Sequence, residues 1–268
     1  MEPLMVTATP NICWLHPEIP YPTDLEELVA ELRLCEQAGA AIAHIHAEER
    51  WSETVRALRA ETQLVVQCGM SSLPIPERME VFEVGADMIS IILSHHDEAF
   101  VGLDMHVLHP REELEEYARL SAKHGVDLEL EIWHTGSIWN MRYLIDRGFL
   151  TPPHITTLFF DWPGGSWSPP TVDEYLRRRA ALPEGSVATV SVMGEGQREL
   201  LAAAIAHGDH VRVGTEDYPY DRSGAEAPTH RLVAEVVEVA AALGRPIASP
   251  ADARRLVGRG STAAPVRT

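Results

Sequence analysis

A (β/α)8 TIM barrel is the fold class this sequence predicts, and three observations predict it. Eight short apolar runs alternate with eight amphipathic stretches along the 268 residues, the alternation that builds a parallel sheet covered by helices. No glycine-rich fingerprint follows the first run, which turns the reading away from a doubly wound open sheet. Polar residues recur at one parity of several strands and gather near strand C-termini, the face where barrel enzymes work.

The first strand is read at 4–9 and the first helix at 23–38, opened by a capping box of Thr23 and Glu26 and closed at Gly39. Strands at 40–46, 63–67 and 87–93 are followed by helices at 50–60, 74–84 and 112–124, with Gly85 and Gly125 at the C′ positions. The remaining strands fall at 127–132, 155–160, 187–192 and 209–215, and their helices at 136–147, 171–182, 196–207 and 229–243. A short extra helix at 250–257 completes one barrel domain over 1–258, and 259–268 reads as a polar C-terminal tail. The long segment Trp162–Pro170 follows the sixth strand, which in a barrel places it at the active face.

Composition narrows the function. The net charge of −18 argues against nucleic acid as partner, because phosphate neutralisation needs a basic surface. Lys123 is the only lysine and stands in a polar helix, so a Schiff-base mechanism has almost no candidate. No run of 18 apolar residues and no signal-peptide pattern is present, so neither membrane nor secretion is expected. Cys13, Cys35 and Cys68 are odd in number and widely spaced, which fits a reducing cytoplasm rather than a disulfide framework.

Strand parity points to the chemistry. Ala41, Ala43 and Ile45 form an outward apolar set, leaving Ile42, His44 and His46 inside. Likewise Arg212, Gly214 and Glu216 face inward in the eighth strand, Asp127, Glu129 and Glu131 in the fifth, and Ser90 and Ser94 in the fourth. Two imidazoles at i and i+2 can reach one ion, although two histidines among thirteen can also be ordinary strand-end residues. Glu216 at the end of the eighth strand can supply a third ligand, and it can equally be a surface acid. An inward arginine needs an anion, and Asp217 or a substrate carboxylate would serve Arg212. Glu129 and Glu131 read as ligands, as groups behind the ligands, as a base or as salt-bridge partners. His95, His96 and Asp97 read as a second metal site or a solvated loop, and Gly194-Glu195-Gly196 as a phosphate cradle or a plain turn.

These residues stand in a familiar order. Thr9-Pro10-Asn11, Glu18 to Thr23, Ala38 to His46, Glu129-Leu130-Glu131, Pro152-Pro153-His154, Arg212 to Asp217, Gly244-Arg245-Pro246 and Ala251 to Arg254 together resemble the β-keto acid cleavage enzymes. The similarity covers about residues 5–257. It implies a zinc-dependent acyltransferase that condenses a β-keto acid with acetyl-CoA, giving acetoacetate and a new acyl-CoA. On that resemblance His44, His46 and Glu216 are the metal ligands, with zinc expected and manganese or cobalt the alternatives. The metal would act as a Lewis acid on the substrate's keto and carboxylate oxygens. Arg212 and Asp217 would take the proton, and the carbanion formed would attack the acetyl thioester. Asn11, Gln67, Ser94 and Glu131 are the substrate-binding candidates. A homo-oligomer, tetramer or dimer, is implied.

Departures from the family pattern surround the substrate. Glu48 stands where many members have an arginine, and the segments Gln67 to Ser71 and Ser94 to Asp97 differ from the usual ones. With the acidic net charge they predict a substrate lacking a second strong anion, its far end apolar or cationic against the Trp162–Pro170 loop. Two other readings stand beside this one. One is a metal-assisted carbon–carbon lyase or hydrolase that needs no CoA. The other is a metal- or metabolite-binding protein that has lost catalysis.

Overall fold

The computed structural model describes residues 2–47, 50–99, 102 and 104–257. The tail expected at 259–268 and Glu48 lie outside the described residues. In chain order the first half runs β1 (Val6–Ala8), α1 (Leu25–Ala38), β2 (Ile42–Ile45), α2 (Trp51–Glu61), β3 (Val65–Cys68), α3 (Ile75–Glu83) and β4 (Met88–Ile92). The strands β5 (His95–Glu98) and β6 (Met105–Leu108) come next, then α4 (Arg111–His124), β7 (Asp127–Ile132) and α5 (Thr135–Asp146). The chain ends with β8 (His154–Phe160), α6 (Val172–Ala181), β9 (Ser186–Val192), α7 (Gln197–His207), β10 (His210–Val213), α8 (Thr229–Ala242) and α9 (Pro250–Val257). Strands β1, β2, β3, β4, β7, β8, β9 and β10 close in that order into a parallel barrel, β10 pairing back onto β1. This is the TIM barrel the alternation predicts.

Three packing layers follow from strand parity. Outward residues such as Val6, Ala43, Val66, Ile91 and Val213 join the helices in the main apolar core. Met5, Ile42, Val65, Met88 and Ile155 fill the barrel bottom, which Ala253 and Val257 of α9 cover. At the top, Ile92, Trp133, Phe159, Trp162 and Met193 form a separate aromatic cluster. Buried apolar surface of this kind carries the stability, at about 25 cal/mol per Å² removed from water.

Two local features differ from the sequence expectation. The N-cap of α1 is Asp24 rather than Thr23. Asp24 Oδ1 accepts from Glu27 N at 2.9 Å, and Glu27 Oε2 accepts from Thr23 N at 3.1 Å, so the cap sits one residue later and Glu27 reaches back past it to Thr23. Residues 95–108 read as loop because they lack apolar alternation, yet β5 and β6 pair as an antiparallel hairpin. The hairpin gains its support from the 162–170 loop: Asp97 N donates to Ser166 Oγ at 3.0 Å and Ala99 N to Pro163 O at 3.0 Å. A Cβ on Gly164 or Gly165 would run into Asp97, so the two glycines permit the approach.

Asp127 opens β7 at the barrel bottom, and burial, aided by the Asp87 charge, pushes its carboxyl up to about 7. Its unfolded value is about 3.9, so the folded state holds the proton more tightly. The sign follows from linkage: stability is full below about pH 4 and is lost as pH rises through 7. Asp127→Asn is therefore expected to stabilise the protein more at pH 8 than at pH 5, by about 1–2 kcal/mol after allowance for solvent screening. Urea midpoints at the two pH values check it; an equal effect at both would show that Asp127 ionises freely in the fold.

Candidate active site

The site is assembled where β2 and β10 end on either side of β1. His44 lies on β2 beside Gln67 of β3 in register, and His44 Nδ1 donates to Gln67 Oε1 at 3.1 Å. That bond leaves the His44 Nε2 lone pair facing the barrel axis. His44 Nε2 and His46 Nε2 stand 3.1 Å apart, and Glu216 Oε2 lies 3.6 and 3.3 Å from them. Asn11 braces His46 through the backbone: its Oδ1 accepts from His46 N at 3.1 Å and its Nδ2 donates to His46 O. Thr9 Oγ1 donates to Glu216 Oε2. Gly69, at the end of β3, closes the back of the imidazoles; a Cβ there would lie 2.7 Å from His44 Nε2 and 2.9 Å from His46 Cε1. Arg78 of α3 holds that glycine by donating to Gly69 O at 3.0 Å and to Ser90 O at 2.6 Å.

The donor set suits a divalent cation. One ligand atom from each of His44, His46 and Glu216 lies within 4.8 Å of the others, the only such cluster among the described residues. Burial, then the Arg212 charge, drives His44 well below its usual pKa, so its ring is neutral. Burial alone would raise Glu216, but Arg212 and the two histidines outweigh it and hold the carboxylate ionised. Two imidazole nitrogens and one carboxylate, gathered in a buried place, are what zinc and similar ions take.

Arg212 and Asp217 stand directly behind. Arg212 Nη2 is 2.6 Å from Glu216 Oε1 and 2.8 Å from Asp217 Oδ1, and Arg212 Nε donates to the same Asp217 oxygen at 3.2 Å. Ser191 Oγ donates to Asp217 Oδ2 at 3.1 Å. Burial opposes the charge on Arg212, but Asp217 and Glu216 more than restore it. Asp217 is pushed up to about 7 by burial, with Arg212 pulling the other way. The guanidinium carbon lies 5.3 Å from the Phe159 ring and 6.0 Å from that of Trp162.

These groups open into a cleft of about 870 Å³. His44, His46, Glu131, Arg212 and Glu216 form its floor, and Trp14, Trp133, Phe159 and Trp162 its walls. Glu131 Oε2 accepts from Trp133 Nε1 at 2.8 Å, and burial next to Glu129 raises its carboxyl to about 8. Burial thus favours the protonated form of Glu131, which can donate a hydrogen bond.

The sequence candidates thus separate. His44, His46, Glu216, Arg212, Asp217 and Glu131 converge. Gln67 and Asn11 are spent on His44 and His46 and do not line this cleft; Asn11 borders a neighbouring hollow with Trp14 and Arg50. Ser94 sits past the end of β4, accepts at its carbonyl from His109 N, and is absent from the cleft wall. His95, His96 and Asp97 diverge, pairing with His134, Glu98 and His106. The Asp161 carboxylate abuts Gly194, which opposes an anion at that turn. Thr9, Gly69 and the walls Trp14, Trp133 and Phe159 escaped the sequence reading, whereas Trp162 stands on the cleft as the loop reading expected. Ser191 escaped it as well, although its inward parity on β9, between Val190 and Val192 of the outer core, was there to be read.

Comparison with known proteins identifies the family of the chain. The profile of the family described as beta-keto acid cleavage enzyme matches residues 3–258. The 3-keto-5-aminohexanoate cleavage enzyme of Fusobacterium nucleatum is 29% identical over 96% of this chain and 98% of its own length. A 3-dehydrocarnitine:acetyl-CoA trimethylamine transferase of Rhizobium meliloti is 30% identical over 53% of this chain and 47% of its own. Among solved structures, apo ObcA superposes with a TM-score of 0.72 at 16% identity, covering 88% of this chain and 65% of its own, a likeness of fold. With the family profile matched from one end of the barrel to the other, the chain belongs to the β-keto acid cleavage enzyme family.

Proposed function

We propose that the protein exchanges acyl groups between a β-keto acid and acetyl-CoA, releasing acetoacetate and the acyl-CoA of the remaining fragment. The observation that carries this is the meeting of the His44–His46–Glu216 cluster with the Arg212–Asp217 pair on one cleft floor. The Rhizobium meliloti relative, named for an acetyl-CoA-dependent transfer, supports the co-substrate. Acids of this type lose a C2 proton readily when the adjoining oxygens are stabilised. A divalent ion held by His44, His46 and Glu216, zinc in this reading, would supply that Lewis-acid stabilisation.

The protein's own residues do the rest. Arg212 faces the cleft and Asp217 stands behind it, so the C2 proton passes to the pair rather than to a free carboxylate. Arginine alone is too basic to serve, with a pKa above about 12, so the base strength comes from Asp217. Ser191 holds the second Asp217 oxygen and fixes its angle. Glu131, protonated, donates toward a substrate oxygen on the same floor. Gln67 acts on the substrate only through the imidazole it orients, and Asn11 only through the His46 backbone it braces.

All three cysteines are free and buried, which suits a cytoplasmic setting. Among the described residues no helix is long and apolar enough to cross a membrane. Exposed Leu34 on α1, and Val239 and Leu243 at the end of α8, give a homo-oligomer of two or four chains apolar surface to cover.

A thioester assay across a panel of β-keto acids tests the reading. Acyl-CoA and acetoacetate are expected in equal amounts, only with acetyl-CoA present. Cleavage that proceeds without acetyl-CoA would replace it with a CoA-independent lyase or hydrolase on the same floor.

A further inference from the structure

The β5–β6 hairpin brings to the cleft a carboxylate that the chemistry above leaves unused. Glu98, with its side chain 15% exposed, borders the cleft together with Met105. Its Oε1 accepts from His96 Nε2 at 2.7 Å. His96 is fully buried and packs on Trp133, ring centroids 4.6 Å apart, so the ring that aims Glu98 is itself locked in place. His96 Nδ1 is buried without a hydrogen-bond partner, and a second proton there would go unsatisfied. The ring holds one oxygen of the Glu98 carboxylate and leaves the other to the cleft.

The other charges on the cleft lining are committed elsewhere. Glu216 serves the histidines and Arg212, and Arg212 is bracketed by Glu216 and Asp217. Glu131 is bonded to Trp133. No lysine and no second arginine lines the cleft among the described residues. Apart from Ser71 and Ser72, the rest of the lining is apolar and aromatic, with Leu73, Met105, Trp14 and Trp133. A fixed carboxylate at the rim of an aromatic cleft is the chemistry that holds an alkylammonium: the charge pairs with the carboxylate and its methyl or methylene groups lie on ring faces.

We propose that Glu98 is the specificity-determining residue of this cleft, selecting β-keto acids whose far end carries an alkylammonium cation. The proposal rests on the reading that the keto and carboxylate end sits at His44, His46 and Glu216.

Calorimetry on the metal-loaded full chain tests it with two inert ligands of one shape. They are 3-hydroxy-4-(trimethylammonio)butanoate and 3-hydroxy-5,5-dimethylhexanoate, in which carbon replaces the charged nitrogen. The cation is expected to bind at least about tenfold more tightly, the scale of a desolvated cation held by a ring face and a carboxylate. Glu98→Gln should bring the two affinities within about threefold, and Glu98→Asp should keep the cation ahead. Equal affinities in the unmodified protein, no binding of the cation, or a preference that survives Glu98→Gln would each overturn the proposal. The activity reading fails separately, through absence of acetyl-CoA-dependent turnover, because these ligands report binding alone.

Discussion

Replacing Asp217 by asparagine, or Arg212 by alanine, is expected to lower turnover at least about a hundredfold, the usual scale for loss of a general base. The two losses should not add. Arg212 Nε and Nη2 both bond to Asp217 Oδ1, and Asp217 has no face of its own on the cleft. Removing either member leaves the other without its function, so the double variant should be little worse than the worse single one. Arg212→Ala also strands a buried carboxylate, which costs stability as well as rate. Asp217→Asn keeps the shape and is the cleaner probe, with thermal melts run alongside to confirm folding. Strictly multiplicative rate losses would argue that the two residues act in different steps.

Metal content is expected to be one divalent ion per chain and to vanish when His46 is changed to alanine. With three protein ligands, loss of one leaves a site too open to retain the ion through purification. His44→Ala and Glu216→Ala should behave alike. Gly69→Ala carries the same expectation by a different route: its methyl carbon would come within 3.0 Å of both imidazoles and displace them from Glu216. Elemental analysis of the purified variants decides. Full metal content in His46→Ala would remove that residue from the ligand set. Full content in Gly69→Ala would show that the rings can give way.

The hairpin shows what escapes a local reading. His95–Glu98 has no apolar alternation, and its pairing is supported by Ser166 and Pro163, far away in sequence. Glu98 therefore reaches the cleft through a contact that no window of the sequence contains. Asn11 and Gln67 show the converse. Their positions were legible and their direction was not, because an amide at a strand end can turn to substrate, to a neighbouring imidazole or to a neighbouring backbone. Packing against His46 and His44 made that choice.

By itself the sequence determined the barrel, its eight strands and the helices within a few residues, and the inward parity of His44, His46, Glu131, Arg212 and Glu216. It could do so because alternation along a strand and periodicity along a helix are local properties. Only the tertiary structure decided that these residues meet. Closure of the ring sets Thr7 of β1 in register with Arg212 of β10 on one side and Ile42 of β2 on the other. That closure carries Glu216 to within 3.6 Å of both histidines, and places Asp217 behind Arg212 rather than on the cleft. Such distances depend on the stagger and tilt of all eight strands at once, a property of the closed sheet that no single strand possesses.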